Sequence, residues 1–131
     1  MPATFIKAER LSSFREIEDL MRNGKTLFHY PFKVLYKESE PAGEITGGNP
    51  PLHSIMVSVP KKNFKRAVKR NLLKRKIRES YRLNKHLLVS PQSKINFLLV
   101  YISKNILEYK EIESKVADIL GKISEAVKKN N

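Results

Sequence analysis

A chain of 131 residues with 40% apolar content can bury one core, which argues against global disorder and against two independent domains. The absence of cysteine removes disulfides, thiolate metal sites and cysteine nucleophiles together. Lys and Arg number 26 against 13 Asp and Glu, a net charge of +13 that calls for a polyanionic partner, either nucleic acid or an acidic membrane surface.

The first ten residues, Met1 to Arg10, carry no apolar signal-peptide core. Ser13 to Asn23 is predicted to be an amphipathic helix. Ser13 and Glu16 fit a capping box, Phe14, Ile17, Leu20 and Met21 recur at helical spacing, and Gly24 stands where a left-handed cap would fall. Leu27 to Tyr36 is rich in aromatic and aliphatic residues and reads as a strand, with Pro31 marking a sheet edge or bulge. Residues 38–52 hold three prolines and three glycines without apolar periodicity, so a loop is expected there. Ser54 to Val59 is a second strand, ended by Pro60.

Ile95 to Ser103 is a third strand, apolar at nearly every position, which suits burial on both faces. Its longest apolar run, Phe97 to Ile102, is far short of the ~20 residues that span a bilayer, so a soluble cytoplasmic protein is expected. Tyr109, Ile112, Val116, Ile119, Leu120, Ile123 and Val127 then trace one helical face, with Asn105 and Glu108 as its N-terminal cap and residues 128–131 as a frayed tail.

Between the second and third strands lies the feature with chemical content. Residues 61–86 hold twelve Lys and Arg and one acid, Glu79, so the segment's net charge is 12 − 1 = +11. It contains good helix formers and neither Pro nor Gly, which predicts one long helix. Arg70, Lys74, Arg78 and Arg82 recur every four residues as a cationic ridge, while Leu73, Ile77 and Tyr81 recur one ridge over and face a core. A merely solvated face would interleave Glu with Lys. This one stacks like charges at i, i+4, which costs helix stability and suits a row of phosphates.

The stretch from Ser58 to Tyr81 resembles the signature of bacterial ribonuclease P protein components: Lys61-Lys62 closing a strand, then Ala67-Val68, Arg70-Asn71, Lys74-Arg75 and Arg78-Glu79 along a helix. Arg10-Leu11, Gly24, Tyr36 and the terminal amphipathic helix extend the likeness over nearly the whole length. The resemblance implies a single α+β domain, an α/β sandwich. It has a central four-stranded mixed sheet packed with about three helices and a left-handed βαβ crossover, as in the second domain of a small-subunit ribosomal protein. The fourth strand would be short and lie near Thr26 or within Leu27 to Tyr36.

The resemblance also implies a function. The protein would be the non-catalytic subunit of an endoribonuclease whose RNA subunit binds Mg²⁺ and performs the chemistry of tRNA 5′-end maturation. Its partners would be that catalytic RNA and the 5′ leader of precursor tRNA, with no membrane and no obligate protein partner. Carried over by position, the RNA contacts are Lys61, Lys62, Arg66, Lys69, Arg70, Asn71, Lys74, Arg75, Arg78 and Arg82. Asn71 bonds RNA, helps hold a metal ion or locks the helix. Leader-cleft candidates are Phe14, Ile17, Met21, Tyr36 and Ser58, although core packing explains the three on the first helix equally well. The family commonly has aromatics where Ile17 and Met21 stand, Gly at Met56, and Ser or Thr at Pro60. Replacing Arg70 by Ala is expected to weaken RNA binding and leave the fold intact.

No other constellation competes strongly. His29, His53 and His86 lack zinc-ligand spacing, no carboxylate pair suits acid–base chemistry, and Gly47-Gly48 is not a phosphate-binding loop. Two other classes stay open: a ribosomal or other structural RNA binder, and a DNA regulator. The second lacks a helix-turn-helix partner, because a strand precedes Pro60.

Overall fold

The computed structural model describes residue 11 and residues 14–39, 53–88 and 94–129. In chain order they form α1 (Phe14–Asn23), β1 (Lys25–His29), β2 (Phe32–Ser39), β3 (Ser54–Ser58), α2 (Ala67–Asn84), a 3-10 turn (Lys85–Leu87), β4 (Lys94–Tyr101) and α3 (Tyr109–Lys129). The strands make one mixed sheet in the order β1-β2-β4-β3. β2 pairs antiparallel with both β1 and β4, and β3 pairs parallel with β4, so α2 sits in a parallel crossover. The α+β class and the four-stranded sheet with three helices agree with expectation. No helix among the described residues is long and apolar enough to cross a membrane.

Strand alternation gives the sheet two differently covered faces. On one face Phe32, Val34, Ile55, Val57, Ile95, Phe97, Leu99 and Tyr101 meet Leu73, Ile77 and Tyr81 of α2 and the apolar stripe of α3 in the main core. Tyr81 packs on Phe97 with ring centroids 5.7 Å apart. Burying side chains of this size contributes about 1.5–3 kcal/mol each, enough to hold α2 down despite its charge. On the other face, Leu20 and Leu11 bury against Leu98, with Ile17, Leu35, Met56 and Val100 around them. β4 is apolar at consecutive positions because both of its faces are covered.

The path of α1 follows from its two ends. Just before it, Leu11 N–H donates to the Ile55 carbonyl of β3 at 2.9 Å. Just after it, Gly24 lies against the Tyr36 carbonyl of β2. Ile55, Phe97 and Tyr36 are register partners across β3, β4 and β2. The helix therefore crosses the strands near that row and leaves the sheet's far end open.

Several expectations change. Leu27 to Tyr36 is two strands, because the chain reverses at the cis Tyr30–Pro31 bond; Pro31 sits in a hairpin turn, not at a bulge. The hairpin supplies the short fourth strand over Thr26. β2 runs on to Ser39, so the expected loop begins later, and its residues 40–52 lie outside the described residues, as does Ser13 of the capping box. Gly24 lacks the left-handed backbone expected of it; its requirement is space, since a Cβ would collide with the Leu20 carbonyl oxygen and stand 3.3 Å from that of Tyr36. Glu108, not Asn105, opens α3: its carbonyl accepts from Glu111 N–H (3.0 Å) and Ile112 N–H (3.1 Å). The Asn105 carbonyl instead accepts from the Tyr101 hydroxyl at 2.6 Å. α3 runs through Lys129, into the segment expected to fray.

Candidate nucleic-acid interface

The basic segment is not one helix. Pro60 to Arg66 is a turn, in which Asn63 N–H donates to the Pro60 carbonyl at 3.1 Å, and α2 starts only at Ala67. Phe64 explains the delay. Its ring is buried in the main core, 6.1 Å from the Tyr101 ring centroid, and a helix begun at Lys61 would give up that anchor. Charge acts in the same direction. A helix N-terminus is electropositive, and α2 has no acid in its first turn and no side-chain cap at Arg66. Starting four cations earlier would concentrate more like charge at that end.

The turn is held from α2. One terminal nitrogen of Arg70 donates to the carbonyls of Phe64 and Lys65, both at 2.8 Å. Lys61, Lys62, Lys65 and Arg66 on the turn, with Lys69, Asn71 and Arg75 on α2, are exposed. Arg70, Lys74, Arg78 and Arg82, the expected ridge, are half-buried along the flank of the helix. The single acid of the segment is committed to that flank: Glu79 accepts from Arg82 Nε at 3.1 Å, and this guanidinium holds its carboxyl below the ordinary range. The outward charge is thus left for an external anion. Val68 and Leu72 are exposed beside these cations.

The second feature is the open half of the α1-covered face. Phe28, Lys33, Val100 and Ser58 are register partners in one row across β1, β2, β4 and β3. Leu35, Leu98 and Met56, one row nearer α1, lie beneath the helix. Asp19 on one flank of α1 pairs with Lys37, which lies on the side away from this row. On the opposite flank, by helical spacing, stand Phe14 and Met21, 80% and 60% exposed, on the side of the helix toward the open row. The result is a groove with a mixed apolar and polar floor and an apolar wall. β3 leads directly from Ser58 to Lys61 and Lys62 at the groove's end. Apolar platforms beside a cationic mouth are what an unpaired nucleic-acid strand requires.

A family model described as Ribonuclease P matches residues 5–124. The chain belongs to the ribonuclease P protein family. Ribonuclease P protein components from two Porphyromonas gingivalis strains are similar to it. One is 48% identical over 90 residues, the other 45% over 89, and each alignment covers 66% of this chain and 61% of the relative. The matched region thus spans about three-fifths of the length of those curated relatives. The RNase P protein from Thermotoga maritima shares the fold with a TM-score of 0.68 at 24% identity, over 88% of this chain and 97% of that one. The Staphylococcus aureus RNase P protein does so with a TM-score of 0.61 at 21% identity, over 87% and 94%.

In this ribonuclease P protein the expected site residues fall into groups. Phe14 and Met21 are exposed on α1, and Ser58 is half-buried on β3 in the row beyond the helix. Ile17, beside them in sequence, is half-buried in the small core beneath α1. Tyr36 is on the opposite face, packed against the main core, although its carbonyl touches the end of α1. The expected RNA contacts divide between the exposed turn and outer α2 surface and the half-buried flank. Sequence reasoning missed Phe28, Lys33 and Val100. Their only signal was alternation, and alternation is useless until Pro31 is read as a turn that sets the register.

Proposed function

We propose that this protein is the RNA-binding, non-catalytic subunit of the endoribonuclease ribonuclease P, acting in the cytoplasm on the 5′ ends of precursor tRNA. The turn at Lys61, Lys62, Lys65 and Arg66 and the outer surface of α2 at Lys69, Asn71 and Arg75 bind phosphates of the catalytic RNA. The groove lined by Phe14, Met21 and Ser58 takes the 5′ leader. Family membership supports the role in ribonuclease P, and the observation that carries the RNA contact is a cationic surface whose only carboxylate is tied up by Arg82. Among the described residues no three His, Asp or Glu side chains come together as metal ligands. In this reading the Mg²⁺ that cleavage requires is bound chiefly by the RNA subunit, and no step on this chain runs through it.

Reconstitution tests the reading. Added to a bacterial ribonuclease P RNA at low Mg²⁺, the protein should restore precursor-tRNA cleavage, while the protein without RNA should cleave nothing. A structural RNA binder or DNA regulator would leave the RNA's activity where it was. Cleavage by RNA-free protein would overturn the division of labour.

A further inference from the structure

The open row does not stop above β3 and β4. Its far member, Phe28, is 64% exposed on β1, while its neighbour Leu27 turns into the main core. Single exposed apolar side chains are ordinary and by themselves mean little. Phe28 differs in two respects. It is the register partner of Lys33, and so lies in line with Val100 and Ser58 on the groove floor. Its ring also lies under the Lys33 ammonium, with Nζ 5.9 Å from the ring centroid, at the outer edge of cation–π range.

We propose that Phe28 and Lys33 form a second subsite of the groove, where an unpaired nucleobase stacks on the Phe28 ring and Lys33 neutralises the adjoining phosphate. The proposal rests on the leader reading above and extends it. Ser58 and Phe28 are three strands apart, about 14 Å at the usual spacing, so they address different nucleotides. The bound strand runs across the β-strands, from the cations that follow β3 to the β1–β2 hairpin. Recognition is indifferent to base identity, because every base has a face to stack. The contact is made only by a leader long enough to reach the hairpin.

Leader length is therefore the test. Precursor tRNAs with leaders lengthened one nucleotide at a time are bound to holoenzyme reconstituted with a bacterial catalytic RNA. Affinity for the native holoenzyme should rise by a step when the leader reaches Phe28. Phe28→Ala should abolish that step, a loss of about tenfold. Phe28→Tyr should retain the step and Phe28→Leu should not. Equal losses at every length, or no loss at any, would overturn the subsite while leaving the groove reading in place. The groove reading has its own control: if Phe14→Ala with Met21→Ala leaves affinity for every leader length untouched, the groove does not hold the leader, and both ideas fall.

Discussion

Arg70 ties α2 to the cationic turn before it. Its bonds to the Phe64 and Lys65 carbonyls make it the brace of the cationic turn, which changes what its removal should do. Charge-assisted bonds to carbonyls contribute about 1.5–3 kcal/mol when desolvated and less where one partner is open to water. Arg70→Ala should therefore lower stability by about 1 kcal/mol in urea unfolding as well as weaken RNA binding, and Arg70→Lys, whose ammonium ends a differently shaped stem and misses the point that Nη1 occupies, should recover little of the stability. A variant that loses RNA affinity at unchanged urea midpoint would return Arg70 to a purely external role. Asp19 offers a pH test. The Lys37 hydrogen bond, and secondarily that from Asn23 at 2.7 Å, holds its carboxyl below the ordinary 3.8. A depressed native value contributes stability above the ordinary value, and that contribution fades as pH falls through the depressed one. Asp19→Asn should thus be less stable than the native protein at neutral pH, with the gap closing below about pH 3.8. A gap that widens in acid would contradict the pairing.

For α2 and its preceding turn, the distribution of exposed charge sets the salt dependence. Six cations are exposed: Lys61, Lys62, Lys65 and Arg66 on the turn, and Lys69 and Arg75 on the helix. If each neutralises one phosphate, log affinity for the catalytic RNA should fall against log salt with a slope of magnitude about 4 to 6. Replacing the four turn cations by Ala should reduce that slope by about 3, against about half as much for Lys69 and Arg75 together. Equal reductions would mean that the turn does not dominate the contact. The same two elements mark what was readable beforehand. α3 was legible because Ile112, Val116, Ile119, Leu120, Ile123 and Val127 repeat at helical spacing, and all of them are buried. The start of α2 was not, because residues 61–66 contain neither Pro nor Gly to stop a helix, and the burial of Phe64, a tertiary fact, joins with crowded charge to delay it. The hairpin at Pro31 was hidden for a related reason: Tyr30-Pro31 carries none of the Asn-Gly or Asp-Gly signals that announce a two-residue turn.

At the scale of the molecule, the sheet separates two jobs. One face is sealed by α2 and α3, and the outer surface of α2 carries exposed cations. The other face is only half covered and leaves a groove. The cationic segment was legible from charge alone, and the family signature named its residues. The groove was not legible, because its floor is assembled from four strands and depends on their order, β1-β2-β4-β3, which no local pattern encodes. The two faces also differ greatly in how they are secured. Among the described residues, the cluster beneath α1 buries only Leu11, Leu20 and Leu98, whereas the main core draws on all three of β2, β3 and β4 and both long helices. Elements held by so little apolar burial open by themselves, at a small fraction of the cost of global unfolding. In native-state hydrogen exchange, amides of α1 should therefore trade with deuterium well before those of β4 and α3, and through openings that urea barely accelerates. The α1-covered face thus has a rigid floor and a yielding edge, which can shift without disturbing the cationic surface of α2.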